Sequence, residues 1–518
     1  MTRVDPISLG GADRPHAIVI GAGLGGLAAA MRLGAKGYRV TVIDKLDTPG
    51  GRGSAIWQDG HRFDLGPTIV TVPQLYRDLW AACGRDFDQD ITLKSLDPFY
   101  EIRWPDGTRF VAQQDTEKLR AEVARLSPGD VKGFDKFLDD SAKRYWFGFE
   151  DLGRRSMHQL WELIKVLPTF VRLRADRSVY AHAASRVKDE RLRMALSFHP
   201  LFIGGDPLHV TSMYILVAYL EKEFGVHYAM GGVAGMAAAM TAVIEDQGGA
   251  VMMNTEVDEV LIKDGAAAGV RLASGLVMGA DVVVSNADAG HTYTRLLRNH
   301  TKRRWTPARL SRTRYSMSLF VWYFGTKGTS DMWRDVGHHT ILNGPRYKGL
   351  LKDIFIKGRL SDDMSLYVHR PSVTDPSVAP DGDDTFYVLS PVPHLGHDNG
   401  VDWQHEESVY KAKMLKVLEE QLLPGVTEKI GPEVVFTPET FRDRYLSPMG
   451  AGFSIEPRIL QSAWFRPHNV SEEAKGLYLV GAGTHPGAGV PGVISTAEVL
   501  ATLVPDAQPA AADTVREA

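Results

Sequence analysis

The sequence contains one cysteine, Cys83, in 518 residues. A single thiol excludes an intramolecular disulfide and a multi-cysteine metal site, and such usage is typical of a protein in a reducing cytoplasm. The seventeen histidines show no HExxH or comparable ligand spacing, so the sequence predicts no metal site. The net charge of −4 lacks the basic excess of nucleic-acid-binding proteins, and we therefore expect no nucleic-acid partner.

The chain also lacks an uninterrupted apolar run of the kind that spans a bilayer. Residues 476–497 contain no acidic or basic side chain, but their glycines and prolines indicate a strand, a loop and the start of a helix. Residues 207–220 are apolar but too few to span. The length of 518 residues exceeds what one compact core holds, so two or three domains are expected.

A glycine-rich motif near the N-terminus has the context expected of a dinucleotide-binding βαβ unit. It follows one apolar run, precedes a stretch of helical periodicity, and a second apolar run then ends in an acid. These segments are, in order, residues 17–20, Gly21-x-Gly23-x-x-Gly26, residues 27–37, residues 38–43 and Asp44. The acid lies 23 residues after the first glycine, close to the ~20-residue offset of the residue that binds a ribose hydroxyl.

Each position of this motif has a physical role in dinucleotide binding. Gly21 permits the tight turn, Gly23 lets the backbone approach a pyrophosphate, and Gly26 lets the helix pack against the strand. The N-terminus of the helix stabilises the phosphate charge. An acid at Asp44, where a 2′-phosphate would require an arginine, favours NAD or FAD over NADP.

A second glycine-rich segment, LYLVGAGTHPGAGVPGV at residues 477–493, indicates the other half of the same site. The predicted fold class is therefore α/β: a Rossmann-type domain assembled from three separated segments, with an inserted substrate domain of mixed sheet and helices. The predicted limits are 15–100, 229–290 and 471–505 for the dinucleotide-binding domain, 101–228 for a helical substrate and membrane-associated part, 291–470 for the substrate-domain sheet, and 1–14 and 506–518 for flexible tails.

An apolar stripe at helical spacing occurs within the helical part. Its members are Leu160, Leu163, Ile164, Leu167, Phe170 and Val171, flanked by Lys165, Arg172, Arg174 and Arg177. Such a stripe is consistent with an amphipathic helix in a bilayer interface, and equally with a helix that packs into the core.

Five segments together resemble flavin-containing amine oxidases and their relatives: GAGLGGLAAAMRLGAKG, PGGRG (49–53), FDLGPT (63–68), VVVSNAD (282–288) and LVGAGTHPGAGVPGV. Four further segments are similar to bacterial carotene desaturases of the phytoene desaturase type, above all the purple-bacterial enzymes: LSFHPLFIGGDP (196–207), SLYVHRPSVTDPSVAP (365–380), YVLSPVPHLG (387–396) and SIEPRILQSAWFRPHN (454–469). The likeness extends over nearly the whole chain, apart from the termini.

This resemblance implies an FAD enzyme that dehydrogenates 15-cis-phytoene, a C40 hydrocarbon, in successive steps. Purple-bacterial members form the carotene neurosporene in three steps, whereas relatives form lycopene in four. Members of the family are peripheral membrane proteins that take substrate from the bilayer, here on its cytoplasmic side. Their reduced flavin passes electrons to oxygen or a quinone, and they need no nicotinamide.

The resemblance also implies flavin-binding roles for individual residues. The pyrophosphate would lie against Gly21, Gly23 and Gly26, and the ribose on Asp44. The remaining positions are Gly51 and Arg52 near the diphosphate or ribityl chain; Gly66, Pro67 and Thr68 near the flavin ring system; Val257 at the adenine; Gly483 by the ribityl–phosphate region; and Gly492 and Val493 at the pyrimidine end of the flavin. Arg52 as a surface arginine and Val257 as a plain core residue remain the alternatives.

Glu162 and Lys165 are the candidate catalytic residues. They lie three positions apart on one helix face, in a stretch similar to the one thought to reach the flavin in this family. The alternative is an ordinary surface ion pair. His199 is a second polar residue in apolar surroundings, where a core histidine is the simpler interpretation, and a solvent molecule is a third candidate for accepting the proton.

Three other functions share parts of this pattern. A flavin amine oxidase would have the same glycine motifs, although a covalently bound flavin would need a cysteine near the C-terminal motif, far from Cys83 in sequence. A later-pathway carotenoid desaturase or isomerase is a closer alternative. A prenyl-binding escort protein would share the general fold but lack a working flavin site.

Overall fold

The computed structural model describes residues 14–397 and 400–508, so most of both predicted tails lies outside the described residues. The strands in this part of the chain are β1 (His16–Ile20), β2 (Arg39–Ile43), β3 (Ala55–Gln58), β4 (His61–Asp64), β5 (Leu93–Ser95), β6 (Tyr100–Arg103), β7 (Arg109–Ala112), β8 (His227–Ala229), β9 (Ala250–Met252), β10 (Val257–Lys263), β11 (Ala266–Leu272), β12 (Val277–Gly279), β13 (Val282–Ser285), β14 (Ser318–Thr326), β15 (His339–Leu342), β16 (Leu366–His369), β17 (Asp384–Val392), β18 (Ile430–Phe436) and β19 (Leu477–Leu479).

The α-helices alternate with these strands near both ends of the chain and dominate its second quarter. They are α1 (Leu24–Ala35), α2 (Pro73–Ala82), α3 (Phe87–Asp90), α4 (Thr116–Leu126), α5 (Val131–Tyr145), α6 (Leu160–Arg172), α7 (Val179–Ala184), α8 (Glu190–Ser197), α9 (Leu216–Phe224), α10 (Gly232–Asp246), α11 (Ala289–His291), α12 (Pro307–Leu310), α13 (Tyr347–Lys352), α14 (Trp403–Gln421), α15 (Pro438–Tyr445) and α16 (Val490–Leu503).

A five-stranded parallel sheet joins the three separated segments of the chain. Its strand order is β19-β13-β1-β2-β9, with every neighbouring pair parallel. The first strand is central and buried along its length, as its unbroken apolar sequence requires for a sheet covered on both faces. The order places the N-terminal unit in the middle and the C-terminal strand at one edge. The predicted fold class is confirmed; the predicted residue limits of the domains stay a prediction.

Small side chains allow the helices to approach this sheet closely. Alanines and glycines make up most of α1, which is buried on nearly all sides between the sheet, α10 and α16. The helix begins at Leu24, three residues before the predicted start at residue 27. Gly23 is its N-cap, so the last glycine of the motif, Gly26, already belongs to the first turn of the helix.

A second, seven-stranded sheet has the order β18-β14-β17-β16-β15-β6-β7. Its long central strands, β14 and β17, are rich in aromatic and β-branched residues and pair antiparallel along their length. Two of its strands, β6 and β7, form the hairpin that the sequence predicts at residues 99–111 around the turn at 105–107, and β6 pairs in parallel with β15. This non-local pairing has no local sequence signal, so only tertiary structure reveals it.

Six helices, α4 to α9, follow one another in the chain between β7 and β8, and several of them share a hydrophobic core with β6 and β7 of the second sheet. None of the helices within residues 14–397 and 400–508 combines the length and apolar character needed to cross a bilayer.

Candidate functional site

A cavity of about 580 Å³ lies at the carboxyl ends of the parallel strands and continues between the two sheets. Residues that follow the ends of four of these strands line it: Gly21, Asp44, Asn286 and Gly481. This edge is where open α/β sheets bind nucleotides. The cavity therefore joins both ends of the chain to the inserted domain.

The first glycine turn leaves no room for side chains. Gly21 has a φ of +98°, which favours glycine. A Cβ added at Gly23 would lie 2.9 Å from Asn286 Nδ2, and one at Gly26 would lie 2.0 Å from the carbonyl oxygen of Gly21. Gly23 caps α1 without a side-chain hydrogen bond, so the first backbone N–H groups of the helix are available to an anion. The turn thus fits a pyrophosphate.

Asp44 directly follows β2 and lines the cavity beside this turn. Its Oδ2 accepts a hydrogen bond of 2.7 Å from the Ala22 N–H, and its Oδ1 accepts one of 2.8 Å from the Leu46 N–H. Each carboxylate oxygen has a further lone pair for a ribose hydroxyl. The acid therefore orders the glycine turn as well as offering acceptors to a nucleotide.

Two further loops close on the glycine turn. The Gly50 N–H donates to the carbonyl oxygen of Ala22 at 2.8 Å, and a Cβ at Gly51 would be 3.3 Å from Gly23 Cα. Behind them, a Cβ at Gly66 would be 2.0 Å from the carbonyl oxygen of Arg52. These glycines are therefore needed where three backbone segments cross.

The Arg52 side chain is half-buried and lines the cavity. It donates to the Ser447 hydroxyl, and its guanidinium lies 5.5 Å from the centre of the Tyr445 ring. Burial lowers the pKa of Arg52, while the nearby Asp288 carboxylate opposes that shift. Oδ2 of Asp288 is buried and has no partner among the described residues. These polar groups are available to a bound cofactor.

The structure brings most of the predicted flavin-binding residues to one cavity wall. Those that line it are Gly21, Gly23, Asp44, Gly51, Arg52, Gly66, Pro67, Thr68, Val257, Gly492 and Val493. Gly26 and Gly483 do not line it; each is packed behind the wall, where a Cβ would be 3.0 Å or less from backbone atoms. The part of the flavin that each residue contacts stays a prediction.

Glu162 and Lys165 do not meet at the cavity. Glu162 accepts a 2.9 Å hydrogen bond from the Gln159 N–H and caps the start of α6. Lys165 is exposed, with Nζ 4.1 Å from the centre of the Trp161 ring. Neither residue lines the cavity, so local helix capping and a surface cation–π contact account for both side chains.

A polar cluster that sequence reasoning only partly found lies on the other side of the cavity. His199 and Glu221 both line it, with Nε2 and Oε2 3.1 Å apart. The Tyr100 hydroxyl donates to the same Glu221 oxygen at 3.0 Å. Burial and this carboxylate raise the pKa of Tyr100 well above its ordinary value. Glu221 carried no sequence signal, because only the packing of α9 brings it to His199.

Three histidines, His338, His339 and His369, meet inside the protein although their sequence spacing did not indicate a cluster. Each has a ring nitrogen within 4.8 Å of the others, and all are buried. Burial lowers the pKa of all three, to about 3 for His338, so the rings are neutral at physiological pH. They adjoin the cavity through Tyr367.

The family model described as flavin containing amine oxidoreductase matches residues 24–504. The chain belongs to this family. The flavin that the resemblance implied is thereby confirmed as the cofactor, and the interlocked glycine loops fit it. Cys83, which hydrogen-bonds to the carbonyl oxygen of Met31, does not line the flavin cavity.

Curated relatives within this flavin family extend over almost the whole chain. The chain is 73% identical over 507 residues to phytoene desaturase (neurosporene-forming) of Cereibacter sphaeroides, covering 98% of this chain and 97% of that protein. It is 43% identical over 490 residues to phytoene desaturase (lycopene-forming) of a Paracoccus species, covering 94% and 97%. A crystal structure of an oxidoreductase from Methanosarcina mazei superimposes with a TM-score of 0.60 at 21% identity, covering 93% and 98%, and shows a shared fold.

Replacing Asp44 by alanine is expected to weaken FAD binding at least about tenfold, because hydrogen bonds to a charged group contribute about 1.5–3 kcal/mol each. The loss of the carboxylate frees the Ala22 and Leu46 N–H groups and removes the ribose acceptor. Titration of apoprotein with FAD, followed by flavin fluorescence, measures the change. Asp47→Ala is the control, since that side chain is exposed and lies outside the cavity wall. Equal affinities of the two variants would contradict the role of Asp44.

Proposed function

We propose that the protein is an FAD-dependent phytoene desaturase that introduces three successive double bonds into 15-cis-phytoene and forms neurosporene. The observation that carries this proposal is the cavity, in which the flavin-binding loops join a wall of aromatic and aliphatic side chains. The neurosporene-forming relative at 73% identity supports it, and the lycopene-forming relative at 43% is more distant.

The apolar half of the cavity suits a substrate without charge or hydrogen-bonding groups. Its wall includes Phe149, Phe170, Phe198, Phe202, Leu319 and Leu389. Contact with such a wall removes hydrocarbon surface from water and is favourable by about 25 cal/mol per Å² of apolar area. The wall therefore selects and holds a hydrocarbon, while shape alone sets its position along the cavity.

The bound flavin supplies a two-electron acceptor, the chemistry that side chains of the protein cannot provide. The residues of this chain would hold it: the glycine turn and Asp44 would bind the nucleotide half, and Arg52 and Thr68 also line the cavity. His199 and Glu221 are polar groups on the cavity wall itself. We propose oxygen or a quinone as the final electron acceptor.

Expression in a phytoene-accumulating bacterium, with chromatography of the extracted pigments, tests the function. We expect neurosporene to predominate. Lycopene as the main product would replace three steps by four, and unchanged phytoene with an FAD-loaded protein would reject the desaturase. A purified protein without FAD would favour an escort protein, and peroxide formation with amines would favour an amine oxidase.

We propose that the protein is a peripheral membrane protein on the cytoplasmic side, where it takes phytoene from the lipid. The apolar stripe predicted from the sequence lies on α6, and four of its six members, Leu160, Ile164, Leu167 and Val171, are about half exposed or more, as is the neighbouring Trp161. Phe170 of the same helix lines the cavity. One helix thus joins an outward apolar face to the substrate wall, as access from a bilayer would require.

Replacing Ile164 and Val171 together by glutamate is expected to reduce binding to lipid vesicles by roughly tenfold or more, because each fully buried aliphatic side chain contributes about 1.5–3 kcal/mol. Their exposures of 59% and 71% leave the fold intact. Co-sedimentation with phosphatidylglycerol–phosphatidylethanolamine vesicles measures binding. Trp57→Glu is the control, at 61% exposure on β3. Equal vesicle binding by both proteins would exclude α6 as the membrane contact.

A further inference from the structure

A series of buried hydroxyl and imidazole groups leads from the cavity wall toward the surface. Thr68 Oγ1 and the Tyr367 hydroxyl, which both line the cavity, are 2.5 Å apart. The Tyr367 hydroxyl is also 2.7 Å from Nδ1 of His339. At the other end, His369 Nε2 is 3.0 Å from His338 Nε2, and His338 Nδ1 is 2.6 Å from the hydroxyl of Thr374, which is only half-buried.

The sheet register places these groups on one face. His339 of β15 and His369 of β16 are direct cross-strand partners. Tyr367 precedes His369 by two residues and therefore points to the same side of the sheet. The rings of His339 and His369 stack with their centres 5.1 Å apart and an angle of 23° between their planes.

One link in this series lacks a direct hydrogen bond, between His339 and His369. His339 Nε2 and His369 Nδ1 are both buried and have no partner among the described residues. Closing the link requires rotation of one imidazole or a single bridging water between the two ring nitrogens. Every other consecutive pair is within hydrogen-bond distance.

A hydrocarbon substrate offers no hydrogen bond to these groups, so binding does not explain them. Polar groups buried this deeply are costly unless they are paired, and two ring nitrogens here are unpaired. Neutral imidazole carries a proton on one nitrogen and a lone pair on the other, so it can receive a proton on one side and release one on the other. Burial keeps all three histidines neutral.

We propose that this series is a proton path that carries the substrate proton from the cavity to solvent; its members, in order, are Thr68, Tyr367, His339, His369, His338 and Thr374. This inference rests on the proposed desaturase function. Each new double bond requires the loss of two hydrogens from adjacent carbons. One C–H bond breaks with its electron pair going to the flavin, which is reduced. The electron pair of the other C–H bond forms the C=C bond, and its proton enters the path at Thr68.

Three clustered histidines can also bind a metal ion, but the hydrogen bond between two of them argues against a metal site here. The hydrogen bond between His338 Nε2 and His369 Nε2 requires a proton on one of these nitrogens, so they do not both offer a lone pair to a metal. Metal analysis of the purified protein tests this point. Stoichiometric zinc, iron or copper that is lost in His369→Ala would overturn the proton path.

The deciding experiment measures proton release separately from flavin reduction. FAD-loaded protein in vesicles is mixed anaerobically with phytoene in weak buffer, and flavin absorbance and a pH-indicator dye are recorded together. Tyr367→Phe keeps the ring but removes the hydroxyl between Thr68 and His339. Tyr410→Phe is the matched control, since its buried hydroxyl is 2.7 Å from the hydroxyl of Ser390 and neither residue lines the cavity.

We expect release of the proton to be slowed by about tenfold or more in Tyr367→Phe and unchanged in Tyr410→Phe. A positioned group that transfers a proton typically accelerates a reaction by at least this factor. Thr374→Val, at the outer end, is expected to slow release without altering FAD affinity. If Tyr367→Phe does not retain flavin, the Thr374→Val variant alone tests the proton path. Wild-type release rates in either tested variant would overturn the path. A wild-type protein that forms no desaturated product would instead overturn the proposed function and the path together.

Discussion

Replacing Gly26 by alanine is expected to yield a protein that no longer retains FAD. The added Cβ would lie 2.0 Å from the carbonyl oxygen of Gly21, a backbone atom that cannot move without opening the phosphate-binding turn. Because the turn and the start of α1 hold the pyrophosphate together, we expect affinity to fall at least about 100-fold, equivalent to about 2.7 kcal/mol. The measurement is the flavin-to-protein absorbance ratio after gel filtration.

Gly235→Ala is the matched control for this variant. Gly235 also lies near the start of a helix, α10, but an added Cβ would have the Met230 carbonyl oxygen at 3.6 Å as its nearest neighbour, an ordinary contact. This variant is therefore expected to keep its flavin. A folded Gly26→Ala protein, by circular dichroism, with one bound FAD would contradict the role assigned to the turn.

Asp384→Asn is expected to cause the largest loss of stability, about 3–5 kcal/mol, because removing one partner of a buried ion pair leaves the other charge uncompensated. Asp384 Oδ1 and Oδ2 accept hydrogen bonds of 2.9 Å and 2.8 Å from Arg370, and both side chains are 2% exposed. Arg370 also donates to three carbonyl oxygens at the edge of the second sheet, those of Ser330, Trp333 and Val336. The pair therefore orders the end of β17.

The thermal unfolding midpoint of the FAD-loaded protein measures this loss. Asp331→Asn is the control, since its pair with Arg334 has side chains that are 85% and 79% exposed and contributes little in water. We expect a clear fall in the midpoint for Asp384→Asn and no measurable change for Asp331→Asn. Equal midpoints would show that the buried pair does not stabilise the sheet.

The dinucleotide-binding unit was predictable because its signals are local. The apolar runs of β1 and β2, the glycine turn between them and Asp44 all lie within 29 residues (16–44). Backbone sterics and helix geometry determine such a unit almost independently of the rest of the chain. The same holds for the long strands β14 and β17, whose aromatic and β-branched residues indicate strands without further context.

The direction of a side chain was not predictable in the same way. Glu162 and Lys165 do share one helix face, but neither lines the cavity, whereas Phe170 on the same helix does, and the catalytic role of the pair stays a prediction. Periodicity gives relative positions around a helix and does not say which face meets the protein. The resemblance implied Gly483 near the ribityl–phosphate region; Gly481 and Gly487 line the cavity there, and Gly483 packs behind them.

The sequence by itself determined the fold class, the flavin turn and the likeness to carotene desaturases, since each depends on residues close together in the chain. Only the tertiary structure decided that His199 meets Glu221, and that Thr68 is linked through Tyr367 to the buried histidines. The reason is that the sheet register and the packing of the inserted domain bring together residues that are distant in the chain, such as Thr68 and Tyr367. No local sequence spacing encodes such a contact.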